Sequence, residues 1–180
     1  MPKKSLILQA NILPLVVAVA MNMASTAVSD RTSNEVLTKE LVRAERIRKV
    51  RALEEFFEGY KSPLKDHSEK FVAVAEENGM DYRLLPAISC MESSCGKKLI
   101  EGSYNPFGWG IYGNNAIYFE NYDKAIETVG KGIKQNYLDK GFDTPKKIAP
   151  IYTPPNHVNW LSGVTFFMEK IEQSTEYEGM

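Results

Sequence analysis

The chain has 180 residues, 43% hydrophobic and 11% aromatic, enough to bury one core and too apolar for a disordered segment. Its 22 basic and 23 acidic residues leave a formal charge of -1, so no long-range field draws it to nucleic acid or to an anionic membrane surface. Nucleic acid is accordingly not among the expected partners.

Lys3 and Lys4 precede a mostly apolar run over residues 6–23, and Ser25-Thr26-Ala27 supplies small residues where a signal peptidase reads. This pattern predicts an export signal over residues 1–27 and a secreted or cell-envelope protein. The competing reading is an uncleaved membrane anchor over residues 6–28, a stretch about long enough to span a bilayer, although Gln9, Asn11, Pro14 and Asn22 dilute it.

Ser29 to Asn34 is polar and turn-like, and Thr32-Ser33-Asn34-Glu35 has the form of a capping box that opens a helix. Leu37, Leu41, Ala44, Ile47, Val50, Leu53 and Phe57 recur there at helical spacing among charged residues. The segment 28–61 reads as a helical spacer whose apolar face packs on the following domain or on a second copy through residues 35–58.

A domain over residues 62–173 comes next, with a polar tail at 174–180. Ser62-Pro63 and Asn78-Gly79 bracket one helix, on which His67 reads as a packed residue beside Phe71 and Val74. Asp81 can cap the next, which runs through Leu84, Leu85, Ile88 and Met91 to Gly96, although Pro86 sits late for a first turn. Cys90 and Cys95 are five apart, so they can pair only if this helix stops near Ser94; two buried thiols are the alternative. With His67 and His157 far off in sequence, no zinc-ligand spacing exists.

Glycines and aromatics alternate from Gly96 to Asn121, which predicts a loop and a small β-hairpin turning near Gly113 to Asn115. Asn121 caps a helix closing at Gly141, Thr144-Pro145 starts a short one, and a last helix runs over about residues 158–173. The expected class is α+β, mainly helical, preceded by the long amphipathic helix.

Glu92 falls at the edge of the apolar stripe of its helix, where partial desolvation would raise its pKa as a general acid requires. The loop beyond it carries Asn105, Phe107 and Trp109 among flexible glycines. Aromatic faces stack on sugar rings and amides bond acetamido groups, so these three are the candidate substrate-binding residues of a carbohydrate cleft.

Three stretches, Leu84-Leu85-Pro-Ala-Ile-Ser-Cys-Met-Glu92-Ser-Ser-Cys-Gly96-Lys, Asn105-Pro-Phe-Gly108 and Phe119-Glu-Asn-Tyr122-Asp-Lys-Ala125, together resemble the bacterial endo-β-N-acetylglucosaminidases of the lysozyme-like superfamily. The resemblance covers roughly residues 64–171. It implies a lysozyme-like helical domain, cleavage of β-1,4 linkages in peptidoglycan or a related N-acetylglucosamine polymer, and neither a metal nor an organic cofactor. It further implies Glu92 as the acid and a tyrosine near it, for which Tyr152 in Ala149-Pro-Ile-Tyr152-Thr-Pro holds the similar motif position.

Glycosidases generally use two carboxylates. Glu120 is the first candidate for the second and Glu101 the next, and the substrate's own acetamido group can also fill that role. The expected function is an exported glycoside hydrolase. The alternatives are a lytic transglycosylase using the same acid, and a non-catalytic glycan-binding module on the same fold.

Overall fold

The structure, a computed structural model, describes residues 13–110 and 116–176, with side chains placed for 34–110 and 116–174. The first part of the expected export signal, residues 1–12, and the turn expected at Gly113 to Asn115 lie outside the described residues. The chain divides into two units, Met1–Glu45 and Arg46–Met180.

Helix α1 runs without a break over Leu13–Gly59. The polar stretch from Ser29 to Asn34 therefore does not interrupt it, contrary to the expected boundary and capping box. Between residues 15 and 58 there is no glycine or proline to end a helix, and Thr38 Oγ1 donates to Asn34 O at 2.8 Å, a bond made inside a continuous helix. Among the described residues no helix is long and apolar enough to cross a membrane. In the first unit Val36, Leu37, Leu41 and Val42 are all exposed.

In the second unit the helices are α2 (Ser68–Asn78), α3 (Leu84–Ser93), α4 (Tyr122–Asn136), α5 (Pro145–Tyr152) and α6 (His157–Glu176), together with the last turns of α1. The compact unit includes the last turns of α1 from Arg46 on, with Leu53 and Phe57 fully buried in its core. Phe57 meets Phe71 of α2 at 5.6 Å between ring centroids, and Phe71 meets Phe107 at 6.3 Å. Burying such a ring stabilises the fold by roughly 2–3 kcal/mol relative to leaving it in water.

The fold is mainly helical, and the small β-hairpin is not there: the described residues contain no strand. The physical reason is visible on either side of residues 111–115. Asn105 to Gly110 fold around the Asn105 side chain instead of extending, and residues 116–119 make a single backbone bond to the facing segment, Phe119 N to Ser103 O at 2.8 Å. Helix α2 likewise starts at Ser68 and not at Pro63, since the Ser62 hydroxyl accepts from Leu64 N and closes a turn there.

Helix α3 packs chiefly on α6 and α2 on α4. Both contacts depend on glycine. A Cβ at Gly163 of α6 would overlap the Met91 thioether of α3, and one at Gly130 of α4 would overlap Val74 of α2. Asn121 caps α4 as its type suggests, its Oδ1 accepting from Lys124 N at 2.9 Å.

If the end of α1 belongs to the core, Phe57→Ala is expected to cost about 3–5 kcal/mol in urea denaturation, whereas Leu41→Ala, on an exposed face, stays within about 0.5 kcal/mol. Equal effects from the two would contradict the division at Arg46.

Candidate active site

The site is built at the C-terminal end of α3. This helix is apolar almost all round, with Leu84, Leu85, Ala87, Ile88 and Cys90 buried, so it runs through the interior of the domain. Glu92 occupies its last turn and remains accessible to solvent, between partly buried Met91 and buried Ser93.

Beyond Ser93 the helix stops abruptly. Ser94, Cys95 and Gly96 have φ values of 54°, 59° and 74°, three successive left-handed residues of which only the last is glycine. The chain turns back on itself and brings Cys95 to Cys90, with which it forms a disulfide. The pairing left open by the spacing is thus settled by the helix ending at Ser93. Closing so short a loop stabilises by roughly 2 kcal/mol on the chain-entropy account.

Two serines hold the turn. Ser93 Oγ accepts from Gly96 N at 2.9 Å and lies 2.8 Å from both Ser89 O and Pro106 O, so its single proton bridges the helix to the following loop. Ser62 Oγ donates to Cys95 O at 2.7 Å. The last turn of α3 is fastened to the end of α1, to itself and to the loop that faces Glu92.

That loop owes its shape to Asn105, which is 4% exposed. Its amide donates to Trp109 O at 2.9 Å and Ile117 O at 3.1 Å, and its carbonyl accepts from Trp109 N at 3.0 Å. A carboxamide committed in this way moulds the loop and does not face a ligand. Phe107 departs from expectation in the same direction: it is 1% exposed, against Phe71, and offers no ring face to a sugar. Trp109 is half-buried, its indole lying on the bare backbone of Gly132 in α4. Gly108, at φ 60°, lies beside the acid: a Cβ there would stand 3.8 Å from Glu92 Oε2.

The partner of Glu92 is a residue that the sequence did not single out. Trp160, in the first turn of α6 and 2% exposed, donates its indole N–H to Glu92 Oε1 at 2.9 Å. Tyr152 lies against that indole, ring centroids 4.9 Å apart and planes 32° from parallel, and donates its hydroxyl to Phe107 O at 3.3 Å. Glu92, Trp160 and Tyr152 therefore form one cluster. Desolvation pushes the Glu92 carboxyl above the usual carboxylate range, and the Trp160 hydrogen bond pulls partly back. The negative end of the α3 dipole acts in the same direction as desolvation. The Tyr152 phenol is pushed far up, first by burial and then by the Glu92 charge, so it stays protonated.

Glu120 is exposed, and among the described residues its side chain makes no hydrogen bond or ion pair. Glu101 is exposed as well. A cavity of about 310 Å³ between the end of α2 and the end of α4, lined in part by Met80, Asp81, Leu84, Lys134 and Asp143, shares no residue with the Glu92 cluster. Its acids are neutralised: Asp81 by Arg83, Asp139 by Lys134 and Asp143 by Lys147.

No protein-family model matches the chain, and no curated protein matches it either.

The folded pKa of Glu92 lies above its unfolded value, so its contribution to stability is complete below the unfolded pKa and is lost as pH rises through the folded one. Glu92→Gln, neutral throughout, is expected to gain stability relative to the native chain as pH rises from about 4, where the unfolded carboxyl ionises, through the higher folded pKa, read from urea titrations at stepped pH. A flat difference would show that the carboxyl is not desolvated. Replacing both cysteines by alanine is expected to cost roughly 2 kcal/mol in the same titrations. A loss below about 0.5 kcal/mol would mean that the serine contacts hold the turn without the bridge.

Proposed function

We propose that the chain is an exported glycoside hydrolase of lysozyme-like type that cleaves β-1,4 linkages in peptidoglycan or a related N-acetylglucosamine polymer. The observation that carries this reading is the Glu92 cluster: a solvent-accessible carboxyl with a raised pKa, held by an indole N–H and faced by a glycine backbone. Such a group holds its proton to higher pH than an ordinary carboxyl does and can deliver it to the oxygen of a leaving sugar. Bare backbone at Gly108 keeps a side chain away from the Oε2 side of the carboxyl.

Trp160 fixes which oxygen carries the proton. With Oε1 accepting from the indole, the proton resides on Oε2, the oxygen on the Gly108 side. Tyr152 supports the indole from behind and keeps water from its inner face. The enzyme thereby presents one acid in one orientation.

Nothing pairs Glu120 with this cluster, which favours a mechanism whose second role falls to the substrate's acetamido group, or an intramolecular closure as in a lytic transglycosylase. A hydrolase leaves a reducing sugar and a transglycosylase an anhydro sugar, so mass analysis of digested peptidoglycan and chitin-type oligomers separates them. Glu92→Gln is expected to abolish cleavage while changing stability at pH 7 by no more than about 1 kcal/mol. Retained cleavage in the folded variant removes Glu92 as the acid. No cleavage by the native chain of either substrate leaves the binding-module reading in its place.

A further inference from the structure

The loop that reaches Glu92 at Gly108 begins at a residue in an unfavourable conformation. Tyr104 has φ 46°, a left-handed value that glycine adopts readily and tyrosine does not, and it is 42% exposed. Its neighbours hold it there. Ser103 donates its N–H to Ile100 O at 3.0 Å and accepts from Phe119 N at 2.8 Å, while Asn105 on the other side is locked by its three hydrogen bonds.

The ring is oriented as well. Tyr104 meets Tyr122 at 5.2 Å with the planes 89° apart, a perpendicular contact that covers at most one face. Tyr122 meets the His67 ring at 5.3 Å and 65°. His67 is fixed in turn, its Nδ1–H donating to Asp123 Oδ1 at 2.6 Å. Tyr118, next in the chain to the Phe119 that bonds Ser103, is a second exposed phenol, 58% accessible.

We propose that Tyr104, braced by Tyr122 and His67, is the platform of a distal sugar-binding subsite that engages a glycan chain several units from the bond broken at Glu92. This rests on the glycan reading of Glu92. The chemistry fits one occupant class. A sugar offers C–H faces to a tyrosine ring and hydroxyls to phenol oxygens, and Tyr104 and Tyr118 supply exposed rings that carry such oxygens. Tyr104 and Gly108 are four residues apart on one loop, hence within about 14 Å, which a short oligosaccharide spans. Orientation before binding lowers the ordering cost that a freely rotating ring would carry.

The test uses the full chain with Glu92→Gln, so that ligand is not consumed, and calorimetric titration with N-acetylglucosamine oligomers from dimer to hexamer. The parent is expected to bind longer oligomers more tightly. Tyr104→Gly should weaken the hexamer at least about fivefold and the dimer far less, without lowering the melting temperature, because glycine suits this φ. Tyr104→Phe, which keeps the ring, should recover most of the hexamer affinity. Undiminished hexamer binding by Tyr104→Gly, beside glycan cleavage by the native chain, overturns the platform and leaves the Glu92 reading standing. Equal weakening of dimer and hexamer also overturns it, by placing the effect at the cleavage site. If the parent binds no oligomer and the native chain cleaves none, both readings fall together.

Discussion

A helix that must end one residue after Glu92 is the constraint around which this domain is arranged. Ser93 is the last helical residue and Glu92 the one before it, so the acid sits in a turn whose final carbonyls have no helical partners. Left alone, such a turn frays. Here three left-handed residues, a disulfide and two serine hydroxyls remove that freedom, and each anchor comes from a different part of the chain: Ser62 after α1, Cys90 within α3, Pro106 in the facing loop. The acid's position is fixed by backbone before any side chain touches it.

Rigid backbone alone would leave the carboxyl free to rotate, and the indole of Trp160 ends that. A buried Trp N–H needs an acceptor, and Glu92 is the one it has. The bond serves both partners: it satisfies the indole inside the domain and selects one carboxylate oxygen for protonation. Because the donor is neutral, it orients the acid while drawing its pKa down less than a cation would. Desolvation is therefore left as the dominant influence on Glu92.

Much of this was legible from residue types. The apolar stripe placed Glu92 at the edge of a buried helix, Gly96 announced the stop, and Asn121 announced its cap. Local rules read such features because they are decided within a turn or two. What was not legible was decided at long range. Asn105 and Phe107 look like ligand groups in sequence, but their roles depend on Ile117 and Phe71, which periodicity cannot bring to them. Trp160 was not singled out at all, lying on the last helix 68 positions from its partner. The signal that would have found it is the need of a buried indole for an acceptor. The expected hairpin failed for a related reason: alternating aromatics and glycines suggest strands, and a single buried asparagine coiled the chain instead.

The close contacts at Gly130, Gly132 and Gly163 carry a consequence for how the domain folds. Each sits inside a helix, where glycine costs roughly 1 kcal/mol relative to alanine because its unfolded backbone is so free. Two of them lie in α4, so that helix is weakened by about 2 kcal/mol and α6 by about 1 kcal/mol before either meets a neighbour. Neither is a strong helix on its own. They become helical as Val74, Trp109 and Met91 settle against the bare backbone, so helix formation and docking are one event. A chain built this way passes between open and closed with little in between, and the acid at the end of α3 is assembled only when everything else is.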